Sequence, residues 1–175
     1  MIVSYLGHEF PSYAFDSGDS AWEKLRCAEG DTMTVTRAKA GNVACLGLGM
    51  PYRDAEFYTP LTAGLREMMN YEGPCYIHCL EGKDRTGLVC ILLEALAGAD
   101  GEEIAADYME TYRNYYGITP GTEKYDAVLN VQFYDMYDWL CGLGGGTPEE
   151  GAKAYLSPGG MTGEETERLI SFLTD

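Results

Sequence analysis

A cysteine and an arginine separated by five residues stand in the segment His78-Cys79-Leu80-Glu81-Gly82-Lys83-Asp84-Arg85-Thr86-Gly87. A loop that runs from a strand into a helix N-terminus aims several backbone N–H groups into one small bowl, and such a bowl binds a tetrahedral oxyanion. Arg85 can add two parallel hydrogen bonds to a phosphate, which a lysine cannot. Gly82 allows the loop to fold tightly, and Gly87 allows the helix to approach its neighbours closely. Cys79 stands at the base of the bowl. A free thiol has a pKa of about 8.5, lowered at helix N-termini and near cations. The groups that bind phosphate therefore also favour the thiolate. A thiolate can attack phosphorus and form a cysteinyl-phosphate, with the transition state held by the backbone N–H groups and Arg85. The Thr86 hydroxyl is placed to hydrogen-bond the sulfur and ease its departure in the second step. This chemistry needs no metal and no cofactor.

The loop can do this only if a strand and a helix position it. Cys75-Tyr76-Ile77-His78-Cys79 is short, apolar and aromatic, as a buried strand is. The run LVCILLEALAG from Leu88 reads as a buried helix that begins at Thr86 or Gly87 and is closed by Gly98. Upstream, Val43–Leu48 is a strand candidate, and Ser20–Ala28 reads as a short helix capped by Asp19 or Ser20. Thr59-Pro60 predicts a cap and a first helical residue for a helix reaching Asn70, and Gly73-Pro74 then breaks the chain. Downstream, Glu102–Tyr116 is amphipathic through Ile104, Ala105, Tyr108, Tyr112 and Tyr115. Glu123–Cys141 repeats the pattern through Tyr125, Val128, Leu129, Phe133, Met136, Tyr137 and Leu140. Gly142–Gly146 is a hinge, Thr147-Pro148 opens a short helix, and Thr162 with Glu165 fits a capping box before a last helix. The spacing of the tyrosines between 108 and 125 favours core packing over stacking on a substrate ring.

The segment HCLEGKDRTG resembles the signature loop of the protein tyrosine phosphatase superfamily, Cys-x5-Arg followed by Ser or Thr. Its GKDRTG form is similar to a bacterial branch of tyrosine and dual-specificity phosphatases. The likeness is strong from about residue 74 to 98, continues in DYMETYRNYYGITPGTEKYDA, and is weak before residue 70. The resemblance implies a phosphatase of phosphotyrosine, and in some members of phosphoserine, phosphothreonine and phosphoinositides. It implies Cys79 as nucleophile, Arg85 as clamp, Thr86 at the sulfur, and His78 orienting the loop and supporting the thiolate. Leu80, Glu81, Gly82, Lys83, Asp84 and Arg85 would then cradle the phosphate, with Lys83 adding charge at the rim.

The general acid stays open. Something must protonate the leaving oxygen and later activate water. Most of the superfamily supplies an aspartate from an upstream loop, and Asp54 in Leu48-Gly49-Met50-Pro51-Tyr52-Arg53-Asp54 fits that place, although there is no Trp-Pro-Asp. Asp16 and Asp19 are further candidates. Related bacterial enzymes with Lys-Asp-Arg point instead to Asp84, whose alternative role is to shape the loop. Arg113 is a candidate to pair with Asp84 or to reach the pocket. Two further readings of the same chemistry are a phosphoinositide or inositol-phosphate phosphatase and a phosphate-binding pseudophosphatase. A rhodanese-like sulfurtransferase fits the Arg-Thr-Gly ending less well, and a structural cysteine beside a chance arginine is the plainest alternative.

Bulk composition bounds these readings. The 175 residues carry a net charge of -16, from 28 acidic and 12 basic side chains. That balance disfavours nucleic acid, whose binding relies on Lys and Arg at phosphates, and disfavours a basic patch on anionic lipid. A phosphate site must concentrate positive potential against the global field. Hydrophobic residues make up 46% of the chain, enough for a packed core without a disulfide framework. The six cysteines show no CxxC spacing, and with only His8 and His78 beside them no zinc site is expected. The N-terminus MIVSYLGHEF has neither the basic region nor the apolar run of a signal peptide. A cytoplasmic location suits a reactive thiolate, the alternative being a secreted form whose leader has been removed. The expected fold is α/β: a central, mainly parallel sheet flanked by helices, with a helical C-terminal half. Residues 1–175 are expected to form one phosphatase domain, short at its N-terminus, with 142–175 as a helical C-terminal extension. Its partner is a phosphorylated protein or phosphoinositide.

Overall fold

The computed structural model describes residues 2–3, 44–46, 48–49, 51–70, 75, 77–79 and 82–174. The expected helix at Ser20–Ala28 and the break at Gly73-Pro74 lie outside these residues. The chain forms two compact units, Met1–Glu81 and Gly82–Asp175.

In the first unit three short strands pair in parallel: β1 (Ile2–Val3), β2 (Ala44–Cys45) and β3 (Ile77–His78), in the order β2-β1-β3. Ile2 lies opposite Ala44 and Ile77, and Val3 opposite Cys45 and His78. Parallel neighbours require crossovers, and helix α1 (Ala55–Met68) lies in the connection from β2 to β3. It packs on β2 and buries Phe57, Leu61, Leu65 and Met68 at helical spacing.

The start of α1 corrects the sequence expectation. Thr59-Pro60 does not open the helix; Asp54 stands at the N-cap with extended backbone and Pro60 lies inside. Proline in a helix interior leaves the carbonyl four residues earlier without its usual donor, here that of Glu56. The extra turn buries Phe57, and Thr62 donates its hydroxyl to the Thr59 carbonyl at 2.9 Å.

The second unit is helical: α2 (Arg85–Leu96), α3 (Gly101–Tyr116), α4 (Glu123–Val128), a π-helical turn at Leu129–Phe133, α5 (Tyr134–Leu143), α6 (Pro148–Leu156) and α7 (Gly163–Thr174). Helix α2 is apolar on all sides because it packs against both α3 and α6, burying Leu88, Val89, Ile91, Leu92, Ala95 and Leu96. Each of its fully buried leucines contributes about 1.5–3 kcal/mol by removal from water. Gly98, at φ +89, follows its end as expected.

Helix α3 opens on a full capping box. The Asp100 carboxylate accepts from the N–H groups of Glu102 and Glu103 at 2.9 and 3.0 Å, and the Glu103 carboxylate accepts from the Asp100 N–H at 3.0 Å. The expected box at α7 is present too, with Thr162 and Glu165 exchanging bonds of 2.8 and 3.2 Å. Thr147 caps α6 by accepting from the Glu150 N–H, with Pro148 first in the helix.

Two expectations are corrected here. Tyr115 leaves the apolar face: Tyr108 and Tyr112 are buried, whereas Tyr115 is 65% exposed and its ring meets Tyr116 edge-on at 4.8 Å. Residues 123–141 are not one regular helix. The π turn re-phases the segment, and there Gln132 meets the Tyr112 hydroxyl and the Phe133 ring lies 5.4 Å from that of Tyr108. The described residues are mostly helical with little sheet. Among them no helix is long and apolar enough to cross a membrane.

Candidate active site

In the first unit, β3 delivers His78 and then Cys79. Cys79 is 8% exposed and is not in a disulfide. The His78 ring donates from Nδ1 to the Cys79 backbone carbonyl at 3.1 Å. That bond fixes the proton on Nδ1, leaves Nε2 as the acceptor of the neutral ring, and ties the imidazole to the peptide that carries the thiol. Asp54 is in the same unit, exposed, and its carboxylate does not cap α1. Asp16, Asp19, Leu80 and Glu81 lie outside the described residues.

In the second unit the remaining loop residues gather on the first turn of α2. Gly82 holds φ +76, a conformation an L side chain rarely adopts. Asp84 is the N-cap residue of α2 yet makes no side-chain cap hydrogen bond. Arg85 begins the helix and is 5% exposed, an unusual burial for a guanidinium. The Thr86 hydroxyl oxygen is buried without a hydrogen-bond partner among the described residues. Leaving such a group unsatisfied costs about 1–3 kcal/mol.

The first turn of α2 also differs from those of its neighbours. Helices α3, α4, α5, α6 and α7 each carry at least one acidic residue in the first turn, and α2 carries none. In so acidic a chain, the partial positive charge of this helix end is left unneutralised by its own first turn. That is the electrostatic condition for binding an anion.

Gly87 is the residue that lets this turn sit on its support. A Cβ there would lie 2.7 Å from Cε2 of Tyr108, so the ring packs directly against the helix backbone. Tyr108 is held in turn by Tyr112 and Phe133, with ring centroids 5.5 and 5.4 Å away. Lys83 is not a solvated lysine: its Nζ lies 5.2 Å from the centroid of the Tyr116 ring. The Tyr116 ring stacks on Tyr112 at 5.6 Å.

Among the described residues Arg113 pairs with Glu110 and not with Asp84. It is exposed, and the pair lies within its own helix at 2.5 Å. The buried cysteine of the second unit, Cys141, is a poor nucleophile, because burial pushes its thiol pKa up. Sequence reasoning missed Tyr116 and the acidic pair Glu94 and Asp107. Burial foremost, with the Asp107 hydrogen bond and charge, pushes Glu94 up to about 8. The signal for Tyr116 was the spacing of Tyr108, Tyr112 and Tyr116, which puts all three rings in one column of α3.

The sequence profile of the tyrosine phosphatase family matches residues 47–140, more than half of the chain. The match runs through α1, β3, the Cys79–Arg85 segment and α2, and ends in α5. No curated protein and no solved structure matches the chain.

Proposed function

The chain belongs to the tyrosine phosphatase family and is a phosphoric monoester hydrolase, and we propose that it hydrolyses phosphotyrosine through a cysteinyl-phosphate on Cys79. The observation that carries this reading is the first turn of α2: a buried Arg85, a buried Thr86 hydroxyl awaiting a partner, and no acidic residue. Five residues of chain separate it from Cys79, which is buried and not in a disulfide.

The proposed reaction has two steps. The Cys79 thiolate attacks phosphorus; the S–P bond forms as the P–O bond to the leaving oxygen breaks, and a carboxylic acid protonates that oxygen. The resulting carboxylate then takes a proton from water, whose oxygen attacks phosphorus and expels the thiolate. Arg85 and the N–H groups of the loop from Leu80 to Arg85 hold the equatorial oxygens in both transition states. Thr86 donates to the departing sulfur, and His78 fixes the nucleophile's peptide. Asp84 is assigned as the acid, because it neighbours Arg85 and its carboxylate is not spent on capping α2. Asp54 is the alternative.

The finer fold belongs to the same reading. The three parallel strands are proposed as part of a central sheet flanked by helices, and residues 1–175 as one catalytic domain with 142–175 as its helical extension. A free thiolate is best kept in a reducing compartment, hence the cytoplasm. Phosphoserine and phosphothreonine are secondary substrates. A phosphoinositide or inositol-phosphate substrate is the second reading, favoured by the fixed ammonium of Lys83 and opposed by the net charge.

The test is metal-free hydrolysis of aryl phosphates by wild type, Cys79→Ser, Asp84→Ala and Asp54→Ala. Wild type is expected to turn over and Cys79→Ser to fall to background. Activity surviving Cys79→Ser would sink the mechanism. Asp84→Ala is expected to lose far more on poor leaving groups than on good ones; if Asp54→Ala shows that pattern instead, the acid is Asp54. Inactivity of every form with retained vanadate binding would make the chain a pseudophosphatase.

A further inference from the structure

We propose that Tyr116 is a positioning residue for the phosphate loop: it holds the Lys83 ammonium in place, and through it sets the affinity for the anionic substrate. The inference rests on the assignment of residues 79–85 as that loop. Lys83 Nζ lies 5.2 Å from the Tyr116 centroid, within the range where a cation is attracted to a ring face. A lysine on a loop is otherwise a flexible point charge that loses much rotamer entropy when it is fixed on a substrate.

Tyr116 is suited to be the post because it is itself anchored. Its ring stacks on Tyr112 at 5.6 Å and 29°, and Tyr112 is buried. Tyr112 contacts the Tyr108 ring at 5.5 Å and donates its hydroxyl to Gln132 of the π turn. Tyr108 is the ring seated against Gly87 in the first turn of α2. One column of tyrosines on α3 therefore meets both the first turn of α2, at Gly87, and Lys83 just before it. Tyr116 is 43% exposed, so burial alone does not account for its placement. In a chain of net charge -16, a cation placed on this segment has a direct use: it supplies local positive potential against the global field.

A double-mutant cycle in the full chain tests this, using phosphotyrosine peptide kinetics with Tyr116→Leu, Tyr116→Phe, Lys83→Met and the Tyr116→Leu, Lys83→Met pair. Tyr116→Leu is expected to raise KM about two- to fivefold, the scale of an exposed cation–π contact, with kcat changed less. Tyr116→Phe, which keeps the ring face, should restore the wild-type KM. In the Lys83→Met background Tyr116→Leu should have no further effect, and an equal effect in both backgrounds would overturn the proposal.

A second readout does not depend on turnover. In protein reductively dimethylated with 13C, the Lys83 methyl signal should be shifted upfield by the ring current in wild type and Tyr116→Phe, and lose that shift in Tyr116→Leu. An unshifted Lys83 signal in wild type refutes the inference even if the enzyme is active. A shifted signal in an inactive protein refutes the phosphatase reading and leaves the contact standing.

Discussion

Replacing Gly87 by alanine sets two effects of opposite sign against each other. Helix propensity alone favours the change by about 0.8–1 kcal/mol, because glycine is the poorer helix former. Packing opposes it. The new Cβ would lie 2.7 Å from Cε2 and 3.2 Å from Cδ2 of Tyr108. Carbon atoms prefer about 3.5–4.0 Å, so ring or helix must retreat by most of an ångström. The ring cannot swing away freely, since Tyr112 and Phe133 flank it and its hydroxyl lies 3.4 Å from that of Tyr112. Overpacking of a well-filled site costs about 1–3 kcal/mol. The balance is a loss of about 1 kcal/mol, or a melting temperature about 2–4 °C lower for a chain of this size.

The same displacement reaches the chemistry. If part of the strain is taken by the first turn of α2, Arg85 moves with it, and a misplacement approaching 1 Å costs up to about a hundredfold in rate. Gly87→Ala is therefore expected to lose about tenfold or more in kcat/KM for an aryl phosphate. Calorimetry on four proteins isolates the cause: wild type, Gly87→Ala, Tyr108→Leu and the double variant. In the Tyr108→Leu background the alanine should stabilise, because only propensity remains. A higher melting temperature for Gly87→Ala in the wild-type background, with full activity, would refute the argument that Tyr108 props the loop.

Two more outcomes follow from charge. Glu94 is pushed from 4.5 to about 8 by burial first and by Asp107 second. A carboxyl whose folded pKa is raised contributes stability that is fully present below about pH 4.5 and is lost as pH rises through about 8. Glu94→Gln, which keeps the protonated shape, should therefore raise the melting temperature at pH 9 relative to wild type and change it little at pH 5; a gain equal at both pH values would remove the explanation. The net charge of -16 also predicts the salt response of association. For a polyanionic phosphopeptide, kcat/KM should rise as ionic strength increases from about 10 to 100 mM, because screening relieves repulsion beyond the Debye length while close contacts in the loop are screened less. A steady fall over that range would show that the loop's local field governs approach.

The parts legible in the sequence were those with a local physical signal. The long apolar run after Thr86 reads as a buried helix, and α2 covers it from Arg85 to Leu96. The box at Thr162 and Glu165 and the cap at Thr147 were read from short-range hydrogen-bonding rules and are present as bonds. Pro60 misled because Thr-Pro is a genuine start signal, outweighed here by the burial of Phe57 one turn earlier. The π turn was hidden because one extra residue per turn barely disturbs an apolar pattern over a few turns, while the contacts at Phe133 and Gln132 that accompany it are tertiary. Tyr115 and Tyr116 are adjacent in sequence, and only the extent of the packing partners decides which ring is supported. Cys79, Asp84, Arg85 and Thr86 were found as candidates by spacing and residue type, and spacing is silent on which aspartate carries the proton.

The acidity of the chain gives the arrangement around α2 its logic. A protein with 28 acidic side chains that handles a phosphate dianion gains from a helix start whose first turn carries none. Capping and dipole rules reward an aspartate or glutamate at nearly every helix start, and the five helices that follow α2 accept that reward in their first turns. Helix α2 forgoes it, and Asp84, at the one position where a cap was available, leaves its side chain out of the cap. The same end carries a buried guanidinium, and the Lys83 ammonium just before it lies at the face of the Tyr116 ring. Local stability is thus forgone at a single helix end, and what is retained there is positive potential and unsatisfied hydrogen-bonding capacity, the two properties a phosphate ester needs from its site.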